Sequence, residues 1–238
     1  MAAPLTEAAI QQMSEMIRSG TLLPGSKLPP EADLAEQLGT SRNTVREAVR
    51  ALVTARVLDV RRGDGTYVTS LRPELLLEGI AFAADMMQPD SSIELVEVRR
   101  ILEPAATRLA ARQIDAVALA SLGQVLEQMR AADGPEELVR FDTEFHNLVA
   151  SASGNATLAS MLAGVSGRTV RARVWRSIVE DAVIVNTIAQ HEDIYRALVA
   201  HDAALAEAAS LIHVATTESW VRRVLEAKPT STIGDEPR

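Results

Sequence analysis

The sequence predicts a mainly α-helical protein with a small N-terminal helix-and-hairpin domain and a larger C-terminal antiparallel helical bundle. Three observations predict this fold. Apolar residues recur at helical spacing through most of the 238 residues. One short stretch around residue 60 is instead broken by glycines between two strand-like runs, as in a β-hairpin. From Pro73 onward the helical period dominates and short loops separate the helical segments, which favours an antiparallel bundle.

The first two helices are predicted from their caps and apolar spacing. One runs from Thr6, as its N-cap, to about Ser19, with Gly20 as its stop. Its apolar stripe consists of Ile10, Met13, Met16 and Ile17. A second, short helix begins near Pro30 and ends at Gly39, where a left-handed residue suits a helix C-terminus.

A third helix is predicted after Thr40 or Ser41, because the hydroxyl of either residue can accept a hydrogen bond from a backbone N–H in the first turn of a helix. Its apolar face consists of Val45, Ala48, Val49 and Leu52. Another face carries three arginines four residues apart, at Arg42, Arg46 and Arg50. This spacing is typical of an ordinary solvated helix face and also of a helix that binds DNA.

Residues 57–68 favour the second interpretation, because they predict a strand, a glycine-rich turn with arginines, and a second strand. A helix, a tight turn, a basic helix and a hairpin in this order form a winged helix-turn-helix. In that fold the basic helix enters the major groove of DNA. The hairpin, which is called the wing, reaches phosphate or the minor groove.

The charge distribution is compatible with DNA despite a net charge of −8. Residues 1–70 carry eight basic and eight acidic residues, whereas residues 71–238 carry the whole negative excess. Ser41–Arg62 alone has six arginines against two acidic residues. The chain has no cysteine, no signal-like N-terminus and no apolar run of membrane-spanning length, so we expect a cytoplasmic protein without a membrane partner.

Seven helices are predicted in the second domain, and glycines at 164 and 167 make the fifth the most prone to kink or divide. Their approximate ranges are 73–87, 92–113, 115–132, 135–152, 155–180, 182–200 and 202–226. We therefore expect a DNA-binding domain at 1–70, a linker at 71–73, a helical effector-binding and dimerisation domain at 74–227, and a disordered tail at 228–238.

The four histidines all lie in the last hundred residues. Asp142 and His146 are four residues apart and share a helix face, while His191 and His213 lie on later helices. Inward-facing carboxylate and imidazole groups from several helices can form a metal site in a bundle core. The alternative is that each histidine is a hydrogen-bonded core residue. His201 is expected at a helix boundary. A donor set of one carboxylate and several neutral imidazoles suits Zn²⁺ or Ni²⁺.

Arg99 is a candidate for binding a carboxylate ligand beside this metal, because apolar residues flank it on its helix. The alternative is a salt bridge between helices with Glu97 or Glu103. Arg171 and Trp175, four residues apart, could wall the same pocket, although a tryptophan is often a simple core residue.

These features together resemble the GntR transcription regulators, in particular the FadR subfamily with an FCD effector domain, over about residues 5–226. In the first domain the resemblance lies in residues 28–31, 34–39, 41–48, 52 and 63–68. In the second it lies in Glu97-Val98-Arg99, Leu102-Glu103-Pro104, Asp142, Phe145-His146, Ser153-Gly154-Asn155, His191 and His213.

The resemblance implies a role for each set of residues. The positions matched to operator contacts are Ser41, Arg42, Asn43, Arg46, Arg62 and Gly63. Those matched to the metal ligands of FCD domains are Asp142, His146, His191 and His213. Arg99 corresponds to a position that can meet the carboxylate of a small organic acid. Ala32 departs from the family, since many relatives have Arg or Lys there. A base or phosphate contact from this position is therefore absent, and we expect the outer bases of the operator to be recognised differently.

The sequence therefore predicts a homodimeric repressor that binds a palindromic double-stranded DNA operator and is released by a small organic acid, either a sugar acid or a hydroxy acid. The acid would bind at a pocket containing a divalent transition metal, Zn²⁺ or Ni²⁺. One rival is the same regulator with a purely structural metal and another effector. A metal-dependent enzyme is disfavoured because Glu144 turns away from the ligand face, and a fatty-acyl ligand is disfavoured because the pocket is polar.

Overall fold

A computed structural model describes residues 2–86, 92–179 and 183–227. The chain forms two compact units, Met1–Gly79 and Ile80–Arg238. The fold is mainly α-helical with one small antiparallel sheet in the described residues, which confirms the predicted class.

The N-terminal unit is a winged helix-turn-helix. Its elements are α1 (Ala2–Arg18), α2 (Glu31–Gln37), α3 (Arg42–Thr54), β1 (Leu58–Arg61), β2 (Gly65–Val68) and α4 (Pro73–Leu76). The two strands pair antiparallel, with Leu58 opposite Val68 and Arg61 opposite Gly65. The predicted apolar face of α3 is buried in one core with residues of α1, α2 and both strands. The arginine face of α3 is exposed as a result.

Local chemistry explains the turn before α3. Gly39 adopts φ +62°, the left-handed conformation expected after a helix. Of the two predicted N-cap residues it is Ser41 that caps, because its Oγ accepts the Thr44 backbone N–H at 3.1 Å. The prediction for α1 is wrong at its start, because the helix begins at Ala2 rather than after Thr6. Pro4 lies in the first turn of this helix, where its missing N–H would have no partner.

The remaining helices are α5 (Glu78–Met86), α6 (Ser92–Ala111), α7 (Ala116–Arg130), α8 (Pro135–Ala152), α9 (Ala156–Val179), α10 (Val183–Val199) and α11 (Ala203–Ala227). The predicted helix at 73–87 is in fact two, α4 and α5. The four-residue α4 buries none of its residues, so no continuous apolar face extends across the break at Leu77. The predicted interruption at 88–90 and the tail at 228–238 lie outside the described residues.

α9 is continuous, so the prediction that it might divide at its glycines is wrong. Gly164 is buried where α9 meets α5, and a Cβ there would lie 2.9 Å from Ile80 Cγ2. This glycine therefore permits close packing instead of breaking the helix. The largest apolar core of the bundle includes residues of α6, α7, α8, α10 and α11. None of the helices in the described part of the chain combines the length and the hydropathy that a membrane span requires.

Candidate functional site

Four potential metal ligands meet inside the helical bundle. Asp142 and His146 lie one turn apart on α8, His191 lies on α10 and His213 on α11. One ligand atom from each lies within 4.8 Å of the others. Asp142, His191 and His213 are at most 4% exposed, and the His146 side chain is 9% exposed. The structure thus brings together all four residues that the sequence predicted as ligands.

The Nε2 atoms of the three imidazoles all face the Asp142 carboxylate. Asp142 Oδ1 is 3.3 Å from His191 Nε2, 3.8 Å from His146 Nε2 and 4.0 Å from His213 Nε2. The Nε2 atoms of His146 and His213 are 3.1 Å apart. His191 Nε2 has no hydrogen-bond partner in the described part of the chain, although it is fully buried.

Backbone and side-chain acceptors determine which imidazole nitrogens carry protons. His191 Nδ1 is 2.7 Å from the Thr187 carbonyl, so this nitrogen must be the donor. His213 Nδ1 is 3.0 Å from Gln190 Oε1. The Gln190 amide is oriented by Thr216, whose hydroxyl donates to a backbone carbonyl and accepts from Gln190 Nε2 at 3.2 Å. His213 Nδ1 is therefore also a donor.

His146 Nδ1 lies 3.2 Å from Glu103 Oε2, which is an ion-pair contact and not a hydrogen bond, because this oxygen has no hydrogen-bond partner in the described part of the chain. The negative charge close to Nδ1 still favours the ring proton on that nitrogen. With their protons on Nδ1, all three neutral rings present an Nε2 lone pair to the same space. Lone pairs that face each other and a carboxylate repel unless a cation lies between them. Imidazole nitrogens and one carboxylate are ligands that divalent transition metals prefer, so these residues fit a metal.

Burial keeps the imidazoles neutral. Loss of water lowers the pKa of His146 to about 3 and that of His191 to about 4. Burial also lowers the pKa of His213 well below its usual value, and the neighbouring imidazoles act in the same direction. All three rings are therefore in the unprotonated form that binds metals at neutral pH.

Arg99 lies beside the ligands and is bound by one residue of its own helix and one residue of α9. Its Nε donates to Glu103 Oε1 at 2.5 Å and its Nη1 donates to Thr169 Oγ1 at 3.0 Å. The Glu103 salt bridge considered from the sequence is present, although it runs along α6 and not between helices. Burial raises the pKa of the Glu103 carboxyl, but the Arg99 charge and hydrogen bond outweigh it and hold this pKa at about 2.

Arg173 on α9 is a buried charge that the sequence reasoning missed. Its Nη1 donates to Asp142 Oδ2, and its Nη2 donates to Thr143 Oγ1 at 3.1 Å. The available signal was its spacing on α9, four residues after Thr169 and seven after Ser166, which are both buried. Glu103, Gln190 and Thr187 were also missed as partners of the ligands.

Of three further positions considered from the sequence, the structure describes the side chain of one. Arg171 and Trp175 belong to α9, but their side chains lie outside the described residues. His201 is exposed at the turn between α10 and α11, with φ +50° and its Nδ1 3.0 Å from the Ala111 carbonyl. This is the helix-boundary position expected from the sequence.

The predicted operator-contacting residues occupy two exposed parts of the N-terminal unit. Arg42, Asn43 and Arg46 are exposed on the first turns of α3, directly after the capping Ser41. Arg62 and Gly63 are exposed in the turn between β1 and β2, where Gly63 adopts φ +77°. Ala32 is half-buried on α2 and carries no charge to this surface.

Ion pairs distinguish the arginines of α3. The Arg46 guanidinium binds Glu31 on α2 through Nε at 3.2 Å and Nη2 at 2.7 Å. This two-point contact holds Arg46 in one orientation across the helix-turn-helix. Arg50 instead pairs with Glu47 on its own helix at 2.8 Å. Arg46 is therefore the more rigidly placed of the two.

The wing is also braced by side chains. Tyr67 on β2 donates its hydroxyl to Asp64 at 2.7 Å, and Lys27 binds the same carboxylate at 3.1 Å. The guanidinium of Arg61 stacks over the Tyr67 ring at 4.0 Å from the centroid. These contacts hold the basic turn of the wing in place.

Several known transcriptional regulators are similar to this chain over most of its length. The chain is 32% identical over 209 residues to the HTH-type transcriptional regulator LutR of Bacillus subtilis, covering 85% of this chain and 94% of LutR. It is 27% identical over 230 residues to the galactonate operon transcriptional repressor of Escherichia coli, covering 92% and 97% of the two chains. The solved structure of Streptococcus agalactiae GntR is similar with a TM-score of 0.68 and 27% identity, covering 90% of this chain and 99% of that one.

The family models match both parts of the chain. Residues 5–68 match the bacterial regulatory proteins of the gntR family, and residues 94–216 match the FCD domain. A helix-turn-helix of this family binds DNA, and the protein is a transcriptional regulator, not an enzyme. With these two matches in sequence, the chain belongs to the GntR family of bacterial regulators, in the FadR-like group that carries an FCD domain.

Proposed function

We propose that this protein is a repressor released from its operator by a small carboxylate bound beside a metal ion. The ion is proposed to be Zn²⁺, with Ni²⁺ as the alternative, and its ligands are Asp142, His146, His191 and His213. The observation that carries the proposal is the set of three imidazole Nε2 atoms that lie within 4.0 Å of Oδ1 of the buried Asp142 carboxylate. A bound divalent cation would supply positive charge and coordination positions that attract anionic oxygen.

The buried charges of the described residues favour an anionic effector. Glu103 and Asp142 carry one negative charge each, and Arg99 and Arg173 carry one positive charge each, so these four sum to zero. A divalent cation would add two positive charges that no described side chain offsets, and a carboxylate would reduce this excess. The relative that represses a galactonate operon is named for a sugar acid, in keeping with a sugar acid or hydroxy acid.

Arg99 is proposed to contact the effector carboxylate. A guanidinium has five N–H donors, and the bonds to Glu103 and Thr169 use two of them. Its engagement with Glu103 therefore leaves donors for a ligand. Arg171 and Trp175 remain proposed as further walls of the same pocket.

For the assembly, we propose a homodimer in which residues 1–70 bind DNA and residues 74–227 bind the effector and the second subunit. Each winged unit would bind one half-site of a palindrome. The proposed contacts are Ser41, Arg42, Asn43 and Arg46 with base edges and Arg62 and Gly63 with the backbone or minor groove. The effector would favour an arrangement of the dimer that does not fit the operator, which requires different affinities for the two arrangements.

The effector site is tested by comparing DNA release among variants of the zinc-loaded protein. A panel of sugar acids, hydroxy acids and dicarboxylates is first screened for compounds that raise the melting temperature of the wild type. Arg99→Ala and His191→Ala are expected to bind the operator, measured by fluorescence anisotropy, but to lose release by the compound found. Release like that of the wild type in both variants would show that the metal is structural and the effector binds elsewhere.

The matched control for this experiment is Arg108→Ala. Arg108 lies on the same helix as Arg99, but it is exposed and pairs with Glu207 at 3.1 Å. Removing it should leave both operator binding and release unchanged. A loss of release in this control as well would point to general damage to α6 and not to a lost ligand contact.

The DNA contact is tested at Arg46. Because Glu31 holds this guanidinium in one orientation, Arg46→Ala should weaken operator binding by about 1–3 kcal/mol if the arginine binds a base edge. Binding to unrelated duplex DNA should change much less. The measurement is anisotropy titration of both duplexes, with Arg50→Ala as the control arginine of the same helix. An equal loss on both duplexes would show that Arg46 contacts only phosphate.

A further inference from the structure

We propose that Glu103 is a positioning residue that holds the metal ligand His146 and the effector-binding Arg99 in place together. This inference rests on the proposed metal and effector site. Glu103 lies on α6 and is 4% exposed. One carboxylate oxygen accepts the Arg99 Nε–H at 2.5 Å, while the other lies 3.2 Å from His146 Nδ1. The Glu103 carboxylate thus contacts both the Arg99 guanidinium, which is proposed to bind the effector, and the His146 imidazole, which is proposed to bind the metal.

The contact with His146 sets the direction of its lone pair. A neutral imidazole has one ring proton, and the negative charge of Glu103 at 3.2 Å from Nδ1 favours the proton on that nitrogen, although this contact is not a hydrogen bond. Nε2 is then available on the side facing Asp142. The other two histidines have uncharged acceptors at Nδ1, the Thr187 carbonyl and the Gln190 amide oxygen. His146 is the ligand of the four-residue group whose ring is oriented by a charge.

The contact with Arg99 sets the plane of its guanidinium. Glu103 binds Nε and Thr169 binds Nη1, so two sides of the planar group are held. Thr169 is in turn fixed, since its hydroxyl donates to the Ser166 carbonyl at 2.9 Å. Rotation of the Glu103 carboxylate would therefore move Arg99 and release His146 at once, which couples metal loading to the orientation of the effector arginine.

A purely structural role makes a different prediction. In that role Glu103 only neutralises the buried Arg99, and its loss would lower stability without changing how the folded protein binds metal. A positioning role requires a loss of metal affinity in the folded protein. Removal of a carboxylate that orients a metal-bound histidine typically lowers metal affinity about 10- to 100-fold.

The test measures Zn²⁺ affinity by competition with a chromophoric chelator for the wild-type protein and Glu103→Gln. Glutamine preserves the size of the side chain but replaces one of its two acceptor oxygens with a donor. We expect Zn²⁺ affinity to fall about 10- to 100-fold in the folded variant. The control is Glu218→Gln, which changes another buried carboxylate that pairs with Arg100 and Arg222, and it should retain wild-type affinity.

The outcomes separate this inference from the proposed function. Wild-type protein that does not bind Zn²⁺ would overturn the metal site itself. Wild-type protein that binds, together with a Glu103→Gln variant of equal affinity, would overturn only the positioning role. A second measurement needs no variant and so does not depend on its folding. In ¹⁵N-imidazole spectra of the zinc-loaded wild type, His146 should bind through Nε2 and keep its proton on Nδ1. Binding through Nδ1 would contradict the inference.

Discussion

Lowering the pH from 7 to 5 is expected to destabilise the metal-free bundle by about 4 kcal/mol through His146 and His191 alone. Both pKa values are lower in the folded protein, at about 3 and about 4, than the usual 6.5. Between pH 6.5 and about 4 the unfolded chain takes up protons that the folded protein does not, so acid favours unfolding. At about 1.4 kcal/mol per pH unit, each ring accounts for roughly 2 kcal/mol at pH 5. His213 acts in the same direction.

Urea unfolding at several pH values measures this effect. Both tryptophans, Trp175 and Trp220, lie in the C-terminal unit, so their fluorescence follows the bundle without a contribution from the winged unit. His191→Gln should make the free energy of unfolding less dependent on pH, because one buried imidazole has been removed. A free energy of unfolding that stays constant from pH 7 to 5 would refute the burial of neutral rings.

Arg173→Met is expected to lower the free energy of unfolding of the metal-free protein by about 3–5 kcal/mol. The substitution leaves the buried Asp142 carboxylate without the guanidinium that donates to it. Methionine fills much of the arginine volume, so the main loss is the compensation of a buried negative charge. The same tryptophan fluorescence measures the change at pH 7, with a chelator present.

A double-mutant cycle assigns the loss to the ion pair. Adding Asp142→Asn to Arg173→Met removes the uncompensated charge, so the double variant should be less destabilised than the sum of the single variants. Arg140→Met on α8 is the exposed control, since its pair with Glu137 leaves the arginine side chain 61% exposed. Arg140→Met should lower the free energy of unfolding by at most about 1 kcal/mol. An Arg173→Met effect no larger than that of Arg140→Met would contradict the buried pair.

The winged unit shows how much local sequence can predict. The apolar face of α3, the left-handed Gly39, the Ser41 cap and the hairpin all follow from residues close together in the chain. The helices of the bundle were predicted to within a few residues for the same reason. One of the errors arises where a neighbour far along the chain decides. Gly164 continues its helix because α5 packs closely against it, and the spacing of α9 carries no information about α5.

In the candidate site too, residues identified by spacing within one helix or by residue type were predicted, and a residue whose role depends on another helix was not. Asp142 and His146 share a face by helical geometry, and a carboxylate with imidazoles is a recognisable ligand set, so sequence and family resemblance sufficed to choose the four ligands. Arg173 was missed because an arginine is ordinarily expected at the surface. Its burial depends on Asp142, which belongs to another helix and lies 31 residues away.

The sequence by itself determined the two-part helical fold, the basic face of α3, the family and the four residues proposed as ligands. These depend on residue type and on spacing within single helices, which short segments specify. Only the tertiary structure decided how the ligands are supported. It placed Glu103 against both Arg99 and His146, set Gln190 and Thr187 behind the other two rings, and paired Arg173 with Asp142. Proton positions and buried charges depend on which atoms meet across helices, and that is a property of packing.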